Sequence, residues 1–359
     1  AQIKIEKSKL KTKGLTNAGQ LDVAHDSQVN AATTDNSGEI KLSGQSVFDS
    51  KKITTQQGST LKVAQQSHVF AETADVNGDL EITNSEMAVT HGITLSQSSN
   101  AKVQGSVIKA ETLQADGKLT TAKSNIETDK KTTIAESAEI KTTDTNFKAG
   151  SFELQAQIEG EGQLKIDVKA DFVTTKESKI NAEQGVIIAD SVNHAGNAEF
   201  KKDLFVNSNY LVNWNLIKAH GNATYNVNAY FINAGYLDAN TSTINTGAYI
   251  NLWSNRAQES LALNAGASFN FGLTRTNCFV NNSLISYNFG FHVPVIPTSV
   301  DQLFRWSTVT SAGKAILNNV CPAAGTAMGV VLGGYNVYQT APKLYQQISK
   351  LHEKGLSSV

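Results

Sequence analysis

Apolar residues alternate with polar ones over most of this chain, in short pairs such as Leu80/Ile82 and Ile93/Leu95. Successive side chains of an extended strand point to opposite faces, so each pair predicts the inward face of one short strand. The pairs start six to eight residues apart, and Gly, Asn, Asp and Ser between them predict polar corners. Three such strands with their corners make a unit of about 20 residues, which cannot bury its apolar face alone and must stack on its neighbours.

The units repeat along the chain. Residues 61–73 match residues 21–33 at seven of thirteen positions, which gives a period of 40 residues, and glycines at positions 19, 38, 58, 78 and 117 divide that period in two. The pattern predicts an all-β fold, a right-handed parallel β-helix of roughly 13 to 15 coils, whose hand follows from the usual crossover preference. Residues 145–200 repeat less cleanly and leave room for an inserted loop or hairpin.

Proline marks the end of the repeating region. All four prolines lie close to the C-terminus, at positions 294, 297, 322 and 342. Every strand of a β-helix is paired on both sides and needs its N–H group, so proline is excluded there. We therefore predict a β-helix over residues 1–297 and a small α-helical module over residues 298–359, which begins with a capping box and covers the end of the solenoid.

Composition divides the predicted solenoid into two sections. Residues 1–203 carry 23 of the 31 basic and 28 of the 32 acidic residues, and they form Lys/Glu/Thr-rich coils. Residues 204–297 form Asn-rich and aromatic-rich coils, in which stacked asparagines can bond in ladders. A net charge of −1 gives no electrostatic basis for nucleic acid or an anionic membrane as the main partner.

No motif predicts a bound metal or cofactor. The stretch Asp75–Glu86 has oxygen-bearing side chains at the spacing of a calcium loop, but Leu80 stands where the sharp turn needs glycine, which favours an ordinary coil corner. The seven histidines are dispersed along the chain. Cys278 and Cys321 stand 43 residues apart, and a single disulfide and two free thiols are equally compatible with this spacing.

The distribution of acidic residues bears on catalysis. Polysaccharide hydrolases need carboxylates that converge on one face. The aromatic-rich section supplies only Asp238 and Glu259 between residues 204 and 300, and the acidic section spreads its carboxylates over every face. These features favour a protein that is not an enzyme and leave a polysaccharide hydrolase or lyase as the alternative.

Two groups of residues are candidates for contacts. The aromatic residues of the Asn-rich section form either a core stack, which the alternation favours, or an exposed strip that contacts glycan or protein: Tyr225, Tyr230, Tyr236, Tyr249 and Trp253. Gly325, Gly329 and Gly333 have the spacing of closely packed helices. The apolar stretch around them is too short to span a membrane, so packing on the last coil is favoured over a membrane contact.

The short repeat unit, the glycine-led turns and the Thr/Ser/Lys/Asn-rich outward positions resemble filamentous-haemagglutinin-type exoproteins, which include two-partner-secretion adhesins and contact-dependent toxin stalks. The resemblance covers about residues 1–290. It implies a non-enzymatic structural or adhesive segment of a large secreted or bacterial cell-surface protein. Its partners would be neighbouring domains of that protein and a receptor or glycan on a host or neighbouring cell. The alternatives are a carbohydrate-binding or polysaccharide-cleaving β-helix, or an effector delivered into a host cell.

Overall fold

The computed structural model describes residues 2–293, and these residues form a parallel β-solenoid of about 15 turns. Within this range all regular structure is β-strand, and every strand pairing is parallel. The strands of the first section are β1 (Gln2–Glu6), β2 (Lys9–Asn17), β3 (Gln20–Ala24), β4 (Gln28–Asn36), β5 (Glu39–Leu42), β6 (Val47–Thr55), β7 (Thr60–Ala64), β8 (His68–Val76), β9 (Asp79–Thr83), β10 (Glu86–Leu95), β11 (Asn100–Gln104), β12 (Val107–Ala115), β13 (Lys118–Ala122), β14 (Asn125–Ile134), β15 (Glu139–Ala149), β16 (Ser151–Leu154), β17 (Gln157–Val168), β18 (Asp171–Thr174), β19 (Lys179–Ala182), β20 (Gln184–Ile188), β21 (Ser191–His194) and β22 (Asn197–Phe200). Those of the second section are β23 (Leu204–Asn213), β24 (Leu216–Asn233), β25 (Tyr236–Asn251), β26 (Ser254–Asn270), β27 (Leu273–Asn281), β28 (Ile285–Asn288) and β29 (Phe291–Val293).

Each early coil consists of a short strand followed by a long strand that bends. The short strand β3 pairs with β1 below and β5 above, and the long strand β4 pairs with β2 and β6. The long strands change register at the bend, as β10 does between Val89 and Gly92. One short strand and two halves of a long strand give the three faces per coil that the sequence predicts.

The core is a single column of apolar side chains inside the coils. Leu80, Ile82, Ile93 and Leu95, the pairs that define the repeat, are all buried in it. Burying one such side chain contributes about 1.5–3 kcal/mol relative to leaving it exposed. Most outward residues of the same strands are polar, so the alternation within each strand determines which side chains enter the core and which face solvent.

Between Thr55 and Asn197 two kinds of turn alternate from coil to coil, which gives pairs of coils of about 40 residues. In every second coil a longer turn is closed by a backbone hydrogen bond, for instance from the N–H of Ser99 to the carbonyl of Ser96 at 2.9 Å. The equivalent donors in the other long turns are Ser59, Ala138 and Ser178. The next coil has a shorter turn, which in most cases contains a glycine in close contact with the long turn. A Cβ at Gly117, for example, would lie 2.2 Å from the carbonyl oxygen of Ser96.

A ladder of serines lines one corner of the first seven coils. The backbone N–H of each serine donates to the Oγ of the serine in the following coil, at 3.1–3.4 Å. The members are Ser8, Ser27, Ser46, Ser67, Ser85, Ser106 and Ser124. The preceding residues, such as His25 and Asp26, have positive φ angles of 56° and 60°. The serine ladder therefore satisfies backbone N–H groups at a corner where the chain adopts positive φ angles.

A second column runs the length of the described solenoid, at the last residue of each long strand or its equivalent. Its central members are apolar, and its two ends are polar. In register order it contains Asn17, Asn36, Thr55, Val76, Leu95, Ala115, Ile134, Leu154, Thr174, His194, Asn213, Asn233, Asn251, Asn270 and Asn288. Neighbouring amides hydrogen-bond, as from Nδ2 of Asn213 to Oδ1 of Asn233 at 2.8 Å. We call this set the asparagine column, and it confirms the predicted ladders.

Residues 145–200 continue the coils without the inserted loop or hairpin that their weak repeat suggested. Strands β15 to β22 pair in register with their neighbours throughout this stretch. The repeat looks weak because long strands such as β14 give way to pairs of shorter strands, which moves the corners. The predicted helical module at 298–359 lies outside the described residues.

Candidate functional surface

Two members of the predicted aromatic strip lie in the core. Tyr225 and Tyr249 are only 1% and 3% exposed. Phe231 packs between them, with ring centroids 5.2 Å from Tyr225 and 5.4 Å from Tyr249. Burial raises the pKa of both tyrosine hydroxyls, and that of Tyr249 accepts a hydrogen bond from Nδ2 of Asn255 at 2.9 Å. The contact role was therefore wrong for these two, and the core interpretation is correct for them.

The other three members lie on the surface, but in two separate places. Tyr230, Tyr236 and Trp253 are 40%, 49% and 50% exposed. Tyr230 packs on Tyr210 of the preceding coil, with ring centroids 4.8 Å apart. Tyr236 begins the first face of its coil and meets Trp253 edge to face, with centroids 6.2 Å apart and an interplanar angle of 83°. The strip therefore resolves into two aromatic pairs.

The pair Tyr236/Trp253 lies where the outer surface changes character. The first residue of the first face of each coil points away from the core. These residues stack from coil to coil, and we call the set the outer column. From the first coil it is occupied by polar residues: Gln2, Gln20, Glu39, Thr60, Asp79, Asn100, Lys118, Glu139, Gln157, Lys179 and Asn197. It continues with Leu216, Tyr236, Ser254 and Leu273. The outer column therefore changes from polar to mainly apolar at Leu216.

Charged side chains border this apolar stretch, at the second position after the outer column in each strand. Lys218 forms an ion pair with Glu199 at 2.8 Å, and the Nε of Arg256 lies 3.9 Å from Oδ1 of Asp238. Arg275 follows Arg256 in register in the next coil. We call the group of Tyr236, Asp238, Trp253, Ser254, Arg256 and Arg275 the aromatic–arginine patch. Sequence reasoning missed both arginines, whose signal is that arginine occurs at only three positions, 256, 275 and 305.

A groove lies at a second place, where the long strands of the early coils bend. It extends from Lys11 to Asp129 and has a volume of about 860 Å³. Small buried side chains such as Ala31 and Ser50 form its floor. Phe70 stands half-exposed in its wall and stacks on His68, with ring centroids 6.0 Å apart.

The groove contains carboxylates, two of which form ion pairs with lysines. Glu72 contacts the ammonium group of Lys51 at 3.5 Å. Glu111 contacts Lys130, whose hydrogen bond lowers the pKa of this carboxyl group. A general acid needs a raised pKa at neutral pH. Glu111 is therefore poorly suited to that role.

The stretch Asp75–Glu86 forms the coil corner that its repeat partner predicts. Leu80 points into the core between its neighbours in adjacent coils. The carboxylates around it face separate partners: Lys52 lies 3.2 Å from Asp75, and Lys62 lies 2.8 Å from Glu81. In residues 2–293 no group of three or more His, Cys, Asp or Glu side chains is arranged to hold a metal ion.

The remaining sequence candidates fall partly beyond the described range. Cys278 lies half-buried in β27, and Cys321 lies outside the described residues, as do Gly325, Gly329 and Gly333. The disulfide and the helix contact therefore stay predictions. Between residues 2 and 293 there is no helix with the length and apolar character needed to cross a membrane.

Comparisons with known proteins add no relative to this picture. A scan against protein-family models, a search of curated proteins and a search of solved structures each found no match to this chain. The resemblance to filamentous-haemagglutinin-type exoproteins thus rests on the period and composition of the repeat, together with the β-solenoid fold.

Proposed function

We propose that this chain is a non-enzymatic structural and adhesive segment of a large bacterial protein that is secreted or exposed at the cell surface. The solenoid would act as a stalk for neighbouring domains, and its side would contact a receptor or glycan on a host or neighbouring cell. The resemblance to haemagglutinin-like exoproteins and the continuous stack of coils support this role.

One observation carries the adhesive component of the proposal. The outer column is polar in the first section and then presents Leu216, Tyr236 and Leu273 outward. Outward positions of a solenoid do not contribute to its core, so coil stability gives no reason for apolar side chains there. Exposed aromatic residues bordered by charge are enriched at sites of protein contact.

The groove near Phe70 supports a second candidate, a polysaccharide-binding or polysaccharide-cleaving β-helix. It is concave, and Glu127 and Asp129 line one end of it. The lysine contacts of Glu72 and Glu111 favour binding over cleavage, because a carboxylate in an ion pair with lysine stays ionised and is a poor proton donor.

Adhesion of coated beads to cells tests both candidates. We expect beads coated with the full chain to adhere to epithelial or bacterial cells, and the double variant Tyr236→Ser/Trp253→Ser to lose most of this adhesion. Phe70→Ser is the matched control, because it removes a similarly exposed aromatic residue from the other surface. Loss of adhesion in Phe70→Ser alone would contradict the proposal and favour the groove.

A further inference from the structure

The basic residues of the chain are distributed unevenly between lysine and arginine. Of 31 basic residues, only those at positions 256, 275 and 305 are arginine. Arg256 and Arg275 follow each other in register on the outer surface of adjacent coils. Arginine presents a planar set of donors that binds carboxylate groups through two parallel hydrogen bonds, which lysine cannot do. Both arginines within residues 2–293 therefore lie where the outer surface is also aromatic.

Within residues 2–293, the positive charges of Arg256 and Arg275 are not fully neutralised by the neighbouring carboxylate. Paired positions on neighbouring parallel strands lie about 4.8 Å apart, so the two arginine side chains stand close together. Asp238, on the far side of Arg256, is the neighbouring carboxylate in register. The Nε of Arg256 and Oδ1 of Asp238 are shielded from solvent, and neither has a hydrogen-bond partner. Two guanidinium groups beside one carboxylate leave a net positive charge that favours an anionic ligand.

The neighbouring aromatic side chains determine what kind of anion fits. Tyr236 and Trp253 are half-exposed, and their rings stand edge to face. Ser254 separates Tyr236 from Leu273 in the outer column, so a small side chain leaves space between two larger ones. The C–H faces of a pyranose ring stack on aromatic rings, its hydroxyl groups need hydrogen-bonding partners, and the carboxylate of a uronic acid favours a cationic partner. The patch offers both within two coils.

We infer that the aromatic–arginine patch binds an acidic saccharide. A pyranose ring stacks on Trp253 beside Tyr236, Arg275 binds the carboxylate of a uronic acid unit, and the remaining polar atoms of Asp238 and Arg256, other than the shielded Oδ1 and Nε, bind hydroxyl groups. This inference rests on the proposed adhesive function and assigns the ligand class of its contact surface.

Calorimetric titration of the full chain with tetragalacturonate tests the inference. We expect Arg275→Gln and Trp253→Ala each to weaken binding about tenfold or more, because each removes a charged hydrogen bond or a stacking surface. Arg275→Lys, which keeps the charge, should also weaken binding, because the paired hydrogen bonds are lost. Lys102→Gln is the matched control: it removes one positive charge from the same register position in a coil that carries Asn100 instead of an aromatic residue.

Two further saccharides identify the anion, and the bead assay separates this inference from the proposed function. The uncharged tetrasaccharide with its carboxyl groups reduced should bind much more weakly than tetragalacturonate. Equal binding of the two, or preference for a sulfated dextran oligosaccharide, would overturn the carboxylate assignment. Absence of tetragalacturonate binding, while beads still adhere through Tyr236 and Trp253, would overturn the inference and leave the adhesive function in place. Circular dichroism and the melting temperature of each variant confirm that the coils remain folded.

Discussion

Nδ1 of His194 lies 2.9 Å from Oγ1 of Thr174, and both side chains are buried in the asparagine column. Thr174 Oγ1 accepts the N–H groups of Ala195 and Gly196, so its own proton points to the imidazole. Nε2 of His194 then carries the ring proton and donates to the carbonyl of Leu216 at 3.0 Å. Nδ2 of Asn213 makes the equivalent bond one coil later, which shows that the histidine takes the place of an asparagine.

This arrangement predicts that acid destabilises the solenoid through His194. Burial lowers the pKa of His194 to about 4, from an ordinary value of 6.5. Below pH 6.5 the unfolded chain binds a proton that the folded chain does not, so stability falls as the pH drops from 6.5 towards 4. The loss attributable to this residue is about 2 kcal/mol by pH 5.

Urea unfolding at pH 7 and pH 5 measures this effect, with His194→Asn as the matched variant. An asparagine restores the neighbouring pattern of the column and carries no titratable group. We expect the fall in unfolding free energy between the two pH values to be smaller in the variant than in the natural chain. An identical fall in both would show that His194 does not cause it.

The serine ladder predicts unequal costs for two serine replacements. Oγ of Ser46 accepts the N–H of Ser27 at 3.3 Å and donates to the carbonyl of Ser43 at 2.8 Å, and Ser46 is buried. Ser46→Ala leaves that N–H without a partner, so we expect a loss of about 1–3 kcal/mol in unfolding free energy. Ser98→Ala, in an exposed turn, should change it by less than about 0.5 kcal/mol. Equal effects in urea unfolding would contradict the structural role of the ladder.

The close contacts of the glycines in the short turns predict that a Gly→Ala substitution there destabilises the solenoid. A Cβ at Gly117 would lie 2.2 Å from the carbonyl oxygen of Ser96 and 2.5 Å from Oγ of Ser99. Gly117→Ala must push two turns apart, which costs about 1–3 kcal/mol. Gly14→Ala is the control, since its nearest neighbour, Oγ1 of Thr33, is 3.6 Å away. Thermal unfolding should show a lower melting temperature for Gly117→Ala only, and a shared decrease would refute the close approach.

Much of this architecture could be predicted from local patterns in the sequence. Alternation at Leu80 and Ile82 and the absence of early prolines depend only on neighbours along the chain, and they predicted the parallel coils. The contact surface depends on which residues stack, and that requires the length of every coil. Coil length varies: Tyr236 pairs with Ser254 across a short coil, whereas Gln157 pairs with Lys179 across a longer one. An average period therefore could not place Arg256 beside Arg275.

The prediction of one aromatic strip was partly wrong because it ignored which side of its strand each aromatic residue occupies. Tyr225 shares its face with Ala223 and Val227, both buried, whereas Tyr236 immediately precedes the buried Leu237. Residues at adjacent positions of a strand point to opposite sides, so these two tyrosines belong on opposite surfaces. Grouping the aromatic residues by their proximity in sequence, without the strand phase, combined core and surface residues into one strip.

The asparagine column predicts that burial, rather than the amide itself, determines the cost of losing an asparagine. Asn233 accepts a hydrogen bond from Nδ2 of Asn213 and donates to Oδ1 of Asn251 at 2.8 Å and to the carbonyl of Ser254 at 3.0 Å. Asn233→Leu introduces the residue type that Leu154 supplies at the equivalent position of a central coil. In the coil of Asn233, however, the leucine leaves the buried polar partners without a hydrogen bond. We expect this variant to lose about 3 kcal/mol in unfolding free energy.

Asn228→Leu is the matched control for this prediction, because Asn228 lies in the same strand and donates to Oδ1 of Asn209 at 2.8 Å on the exposed surface. Water can replace that hydrogen bond, so the change in unfolding free energy should stay below about 1 kcal/mol. Urea unfolding of the two variants at the same pH compares them directly. If Asn228→Leu proves as costly as Asn233→Leu, the effect arises from leucine in this strand and not from the buried column.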